Sequence, residues 1–206
     1  KREMSFDNML KYSSNELQIR YDQCFQQKYG YRTFCDSILQ RYPNRKYLGE
    51  PFYHSIRYAY EFDERVQVGL SAEKDAGEPF WNQSHRGYDY YSCYVLLKDV
   101  NKWLKTAVVG DYKISFGQGL VVSNDFVLSR TATVTNGERR NYGFKRHYST
   151  NENDYFRGAA TTIAIDKMNV SLFYSHKKLD ASIDNTEIRS LKTDGLHRLQ
   201  REREKM

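Results

Sequence analysis

Apolar and polar side chains alternate along much of this chain, the pattern of strands with one greasy and one wet face. Leu17, Ile19, Tyr21 and Phe25 alternate with Gln18, Arg20, Asp22 and Cys24. Ile56, Tyr58, Tyr60 and Phe62 alternate with Ser55, Arg57, Ala59 and Glu61; Val66, Val68, Leu70 and Ala72 alternate with Gln67, Gly69, Ser71 and Glu73. Leu104, Thr106 and Val108, then Tyr112, Ile114 and Phe116, form one row against Lys105, Ala107, Asp111, Lys113 and Ser115. Val170, Leu172 and Tyr174 alternate with Asn169, Ser171 and Ser175. Two stretches are less regular: Tyr91, Cys93, Val95 and Leu97 mark the greasy face of one, Ile163 and Ile165 that of the other. The pattern predicts antiparallel strands near 14–25, 53–62, 66–75, 88–99, 102–116, 155–166 and 169–177, with a turn or two of helix in 34–42.

Hairpin register decides which side chains share a face, because a one-residue slip turns a whole strand over. A three-residue turn at Asp63–Arg65 would pair Phe62 with Val66. A two-residue loop at Val100–Asn101 would pair Leu97 with Leu104 and set Asp99 opposite Lys102. A two-residue loop at Lys167–Met168 would pair Ile165 with Val170. Each choice keeps apolar rows together with loop lengths that hairpins favour. On this reading Ile56/Tyr58/Tyr60, Val66/Val68/Leu70, Leu104/Thr106/Val108, Ile163/Ile165 and Val170/Leu172 form one outward band. Arg57/Glu61, Gln67/Ser71/Glu73, Lys105/Asp111/Lys113 and Asn169/Ser171 face a wet lumen.

Short turns at 63–65, 100–101 and 167–168 alternate with long polar connections at about 26–52, 76–87, 117–154 and 177–206. Long structureless loops are uncommon in compact soluble domains. Their alternation with short turns suits an outer-membrane barrel, with turns in the periplasm and loops outside. Composition agrees: aromatics are 15% of the 206 residues, yet mean hydropathy is -0.82. No run approaches the roughly 18 apolar residues of a membrane-spanning helix, a test that barrel strands escape.

The net charge of +6 admits a nucleic-acid partner, but basic and acidic residues are interspersed, as on a solvated surface. Cys24, Cys35 and Cys93 show no metal-ligand spacing; Cys24 and Cys35 either bridge or stay free. His54, His85, His147, His176 and His197 are scattered, with no pair at ligand spacing. Glu61, Glu73 and Asp111 fall on polar faces and suit a charged lumen better than acid–base chemistry. Gly110–Leu120 invites a phosphate-loop reading but lacks the Gly-Lys-Ser/Thr ending, so its glycines read as a bend or bulge. Of Tyr53, Tyr58, Tyr60, Tyr88, Tyr90, Tyr91, Tyr94, Tyr155 and Tyr174, some should form an aromatic girdle; a sugar-binding platform is the rival.

The runs RKYLGEP (45–51), AEKDAGEPF (72–80), GYDYYSCYVLLKD (87–99), GDYKISFGQGL (110–120), STNENDYFRGAA (149–160), FYSHKKLDA (173–181) and TDGLHR (193–198) resemble the large outer-membrane proteins of Bacteroidetes described as helix-hairpin-helix domain-containing. The resemblance implies a helix-hairpin-helix region ahead of a large barrel, with DNA binding a property of the parent. It transfers no catalytic residue.

The expectation is a single all-β unit over 1–206: an antiparallel up-and-down sheet, part of a transmembrane barrel. It would sit in the outer membrane against lipid, without enzymatic activity, metal or cofactor, and handle a solute or polymer. With no leader at Lys1 and two open edges, it reads as a fragment. A soluble β-barrel or sandwich binding a small ligand is the alternative, and a nucleic-acid module the third.

Overall fold

The computed structural model describes residues 3–81, 86–124, 142–184, 187–193 and 195–200. The expected strands are present with ends shifted by up to two residues: β1 (Ser14–Gln23), β2 (Phe52–Phe62), β3 (Val66–Lys74), β4 (Tyr90–Lys98) and β5 (Leu104–Phe116). Two short strands follow, β6 (Val122–Ser123) and β7 (Gly143–Arg146), then β8 (Phe156–Ile165) and β9 (Met168–Ser175). A separate antiparallel ribbon pairs β10 (Ala181–Asp184) with β11 (Glu187–Leu191). Among the described residues helix is confined to short turns, chiefly α1 (Phe6–Lys11), which the alternation did not suggest, and α2 (Asp36–Arg41), inside the expected stretch.

The main sheet runs β1-β2-β3-β4-β5-β8-β9, with β6 and β7 attached to β5. The fold is all-β, and the long strands follow one another in chain order. The sheet is open rather than closed into a barrel, with β1 and β9 at its ends. By Cα packing the chain divides into two units. One holds 1–16, 58–70 and 92–177; the other holds 17–57, 71–91 and 178–206.

In the first unit the register fixes which residues share a face. Leu97 pairs with Ala107, and Val95 with Val109. Leu97 therefore does not meet Leu104, and Asp99 does not meet Lys102. The connection is a longer loop in which the Asp99 N–H donates to the Lys105 carbonyl at 2.7 Å. The displacement is an odd number of residues, so it turns β5 over relative to the expectation. Val108 is 1% exposed and belongs to the core, whereas Val109 is 60% exposed. The row Leu104/Thr106/Val108 is thus not outward.

The β8–β9 hairpin also closes differently. Ile165 pairs with Met168 and Ile163 with Val170, around Asp166, which takes φ 53°. Aspartate tolerates that left-handed conformation, which moves the turn to Asp166–Lys167. The shift is even, so the apolar rows of β8 and β9 still share a face. At the β2–β3 turn, Asp63 and Glu64 have φ 51° and 57°, and the Arg65 N–H donates to the Phe62 carbonyl at 2.9 Å. Three residues, Asp63–Arg65, separate β2 from β3, the length expected.

Across β4, β5, β8 and β9 the exposed face carries the rows Leu97–Ala107–Thr161–Leu172 and Val95–Val109–Ala159–Tyr174. The opposite face carries Leu96–Val108–Ala160–Phe173. That face meets the core of Tyr94, Leu96, Val108, Tyr112, Ile114, Phe144 and Ala160, with Phe116, Val122, Tyr148 and Phe156 against it. Each large side chain so buried contributes about 1.5–3 kcal/mol. Strand β7 supplies Phe144: Tyr112 pairs with Arg146 on one side and Phe156 on the other, and the Tyr112 and Phe144 rings meet edge to face at 6.0 Å. Lys105 and Asp111, expected to face the lumen, lie instead on the face of Ala107 and Val109.

Candidate functional site: a closed loop cluster and an aromatic ladder

The loops of the second unit are tied together by main-chain bonds between segments far apart in the chain. Gly49 N–H donates to the Gly77 carbonyl at 2.9 Å, and Gly77 N–H donates to the Glu50 carbonyl at 2.8 Å. Leu48 N–H donates to the Arg198 carbonyl at 3.0 Å. The approach at Gly49 is so close that a Cβ there would lie 1.8 Å from the Glu78 carbonyl oxygen.

Glu78 sits at the centre, 1% exposed. Its two carboxyl oxygens accept from the His197 N–H at 2.8 Å and the Asp75 N–H at 2.9 Å. Burial pushes the carboxyl up to about 7; the nearby Asp89 and Asp75 act in the same direction, and the two N–H donors oppose it. His197 is also buried, with Nε2 at 3.2 Å from Asp180 Oδ2 and 3.8 Å from Asp89 Oδ2. Burial likewise raises the Asp75 carboxyl against the pull of Arg198. This arrangement fastens the loops through the two N–H groups that Glu78 accepts from. Among the described residues no three His, Cys, Asp or Glu side chains are placed to hold a metal.

An aromatic ladder lies in the same unit. Tyr21 stacks on Phe52 at 5.4 Å and Phe52 on His54 at 5.6 Å. His54 meets Phe80 and Tyr88 edge-on at 4.9 Å each, and Tyr88 meets Tyr91 at 5.9 Å. Lys74 Nζ lies 4.1 Å over the Phe52 ring, bonds to the Phe52 carbonyl at 3.0 Å and pairs with Glu50 at 3.4 Å.

The first unit holds a second charged group. Asp111, 1% exposed, takes the Arg157 guanidinium on both oxygens. His147 is buried and stacks on Tyr155 at 4.5 Å. Burial first, then Lys113, pulls its imidazole down to about 4. Lys177 Nζ lies 3.6 Å over the same Tyr155 ring and bonds to the Glu152 and Asn153 carbonyls. Glu61 pairs with Arg146 at 3.3 Å and accepts from Gln67 at 3.3 Å.

The histidines read as scattered therefore divide. His54 joins the ladder, His147 and His197 join separate polar clusters, and His176 is exposed. His85 lies outside the described residues. Glu73 is half-buried on β3. Cys24, Cys35 and Cys93 are exposed free thiols. In Gly110–Leu120 the strand runs to Phe116 and ends in a single tight turn at Gly117–Gly119. Gly110, at φ 98°, lets β4 approach: a Cβ would lie 2.2 Å from the Cys93 carbonyl oxygen. The Glu78–His197 contact was missed because 119 residues separate the two and neither carries a periodic signal. No family model matches this chain, and no curated protein and no solved structure matches it.

Proposed function

We propose that the chain is a segment of an outer-membrane β-barrel of the Bacteroidetes helix-hairpin-helix-containing kind, acting in the passage or binding of a solute or polymer and not in catalysis. The observation that carries this is the exposed face of β4, β5, β8 and β9. Its rows Leu97–Ala107–Thr161–Leu172 and Val95–Val109–Ala159–Tyr174 hold no charge, and Val109, Leu172 and Tyr174 are 60%, 59% and 68% exposed. A contiguous apolar face on a soluble domain invites association, whereas lipid accepts it. On β5 the uncharged stretch lies between Lys105 and Asp111, about 20 Å at roughly 3.3 Å per residue, against the roughly 25 Å of an outer-membrane apolar band. The Lys105 stem can extend it by reaching toward water. The Tyr21–Phe52–His54–Tyr88–Tyr91 ladder suits an interfacial aromatic girdle.

The second reading is a soluble β-barrel or sandwich, favoured by the apolar core around Tyr94, Leu96 and Val108. One pair of substitutions separates the two. An Arg on the lipid face near the midplane costs about 2–4 kcal/mol, while an Arg on a solvent-exposed face costs little. Val109→Arg and Leu172→Arg should each block folding into lipid vesicles, read by heat-modifiable mobility, while Ser171→Arg on the other face is tolerated. Parent-like folding of both variants, with a monodisperse chain in plain buffer, would make the soluble reading the better one.

A further inference from the structure

We infer that the loop cleft of the second unit is a binding site for a short acidic oligosaccharide. Two adjoining cavities of about 370 and 420 Å³ share Gln23, Cys24, Tyr31 and Pro51 as walls. The site consists only of second-unit residues and stands whether or not the sheet meets lipid.

Three kinds of group converge there. The first is aromatic. Tyr31 and Tyr47 meet edge to face at 4.9 Å, and Phe25 lines the cleft 94% exposed. An exposed ring that contributes little to the core is available to stack on the C–H face of a pyranose. The second is amide: Gln23, Gln26 and Gln27 line the same space, each offering both a donor and an acceptor to neighbouring hydroxyls. The third is cationic. Lys28 and Lys46 line the cleft and have no ion-pair partner among the described residues, while Asp22 is held by Arg20 at 2.5 Å. Uncompensated cations beside rings and amides select a sugar bearing carboxylates. Two lysines are few for tracking a phosphodiester backbone.

The floor is built in advance of the ligand. Tyr47 N–H donates to the Gly30 carbonyl at 2.9 Å, and a Cβ on Gly30 would lie 2.5 Å from the Tyr47 ring. Only glycine lets that ring close on the loop. A rigid floor lowers the ordering cost of binding.

Cys24 is an exposed thiol in the cleft wall and serves as the reporter. In the full chain folded in detergent, with Cys35→Ser and Cys93→Ser, trigalacturonate should slow maleimide addition to Cys24 saturably, in the micromolar to millimolar range. Maltotriose and a tri-glutamate peptide should slow it far less. Phe25→Ala should weaken protection by about threefold to tenfold, and Lys46→Gln by up to about fivefold. In the matched chain retaining only Cys93, on β4 outside the cleft, trigalacturonate should change nothing. The inference is overturned by no protection at millimolar trigalacturonate, by equal protection at Cys93, or by maltotriose or tri-glutamate protecting as well as the acidic sugar.

Discussion

Asp111 and Arg157 face each other across β5 and β8, and the guanidinium meets both carboxylate oxygens, Nε at 2.7 Å and Nη2 at 2.9 Å. The pair occupies the exposed-face row next to Val95–Val109–Ala159–Tyr174, so it marks where the uncharged surface ends. Asp111 is buried while the Arg157 side chain is 45% exposed. A bidentate geometry of this kind is strong and specific. Removing Arg157 takes the bidentate donor from a buried carboxylate. The buried carboxylate makes Arg157→Ala costly, about 2–4 kcal/mol once the exposure of arginine is discounted. Arg157→Ala combined with Asp111→Ala should recover most of that loss. Denaturant unfolding of the parent, both single variants and the double variant checks the coupling; additive single effects would mean that the pair does not act as a unit.

Gly69 is held as glycine by its neighbour. A Cβ there would lie 2.3 Å from the Tyr94 ring, and that ring is buried in the core with its hydroxyl 3.4 Å from Arg146. Gly69→Val should therefore destabilise the first unit by about 1–3 kcal/mol through overpacking. Tyr94→Ala in the same chain should remove the clash, making the second substitution less harmful in the Gly69→Val background than in the parent. Denaturant midpoints of the four chains measure this.

Glu78 and His147 should give the two units opposite responses to pH. The Glu78 carboxyl is raised from 4.5 to about 7 by burial, so the folded unit holds a proton that the unfolded chain releases. Its contribution is complete below about pH 4.5 and is lost as pH rises through about 7, up to about 3 kcal/mol. The His147 imidazole is lowered from 6.5 to about 4, so its contribution is complete above about pH 6.5 and is lost as pH falls toward about 4. Amide exchange corrected for intrinsic rates reads the units separately. Protection at Gly49 and Gly77 should fall between pH 5 and pH 8, and Glu78→Gln should flatten that slope. Protection near His147 should rise over the same interval and flatten in His147→Phe.

Alternation alone located the seven long strands, because a half-covered strand must place its apolar side chains at every second position. It also placed Ile163, Val170 and Leu172 on one face, since an error of two residues in the β8–β9 turn preserves parity. It did not place β5. The loop from Asp99 to Trp103 sets Leu97 against Ala107, and that odd displacement exchanges Val108 for Val109 on the exposed face. Loop closure depends on backbone geometry and on partners such as the Lys105 carbonyl, which no periodicity records. The same limit applies to β7, which packs Phe144 against Tyr112, and to the contact between Glu78 and His197. Local pattern follows from the near neighbours of each residue along the chain. Which distant loop supplies the N–H that satisfies a buried carboxyl is settled only when the whole chain has folded, because only then do burial and hydrogen bonding act on the two groups together.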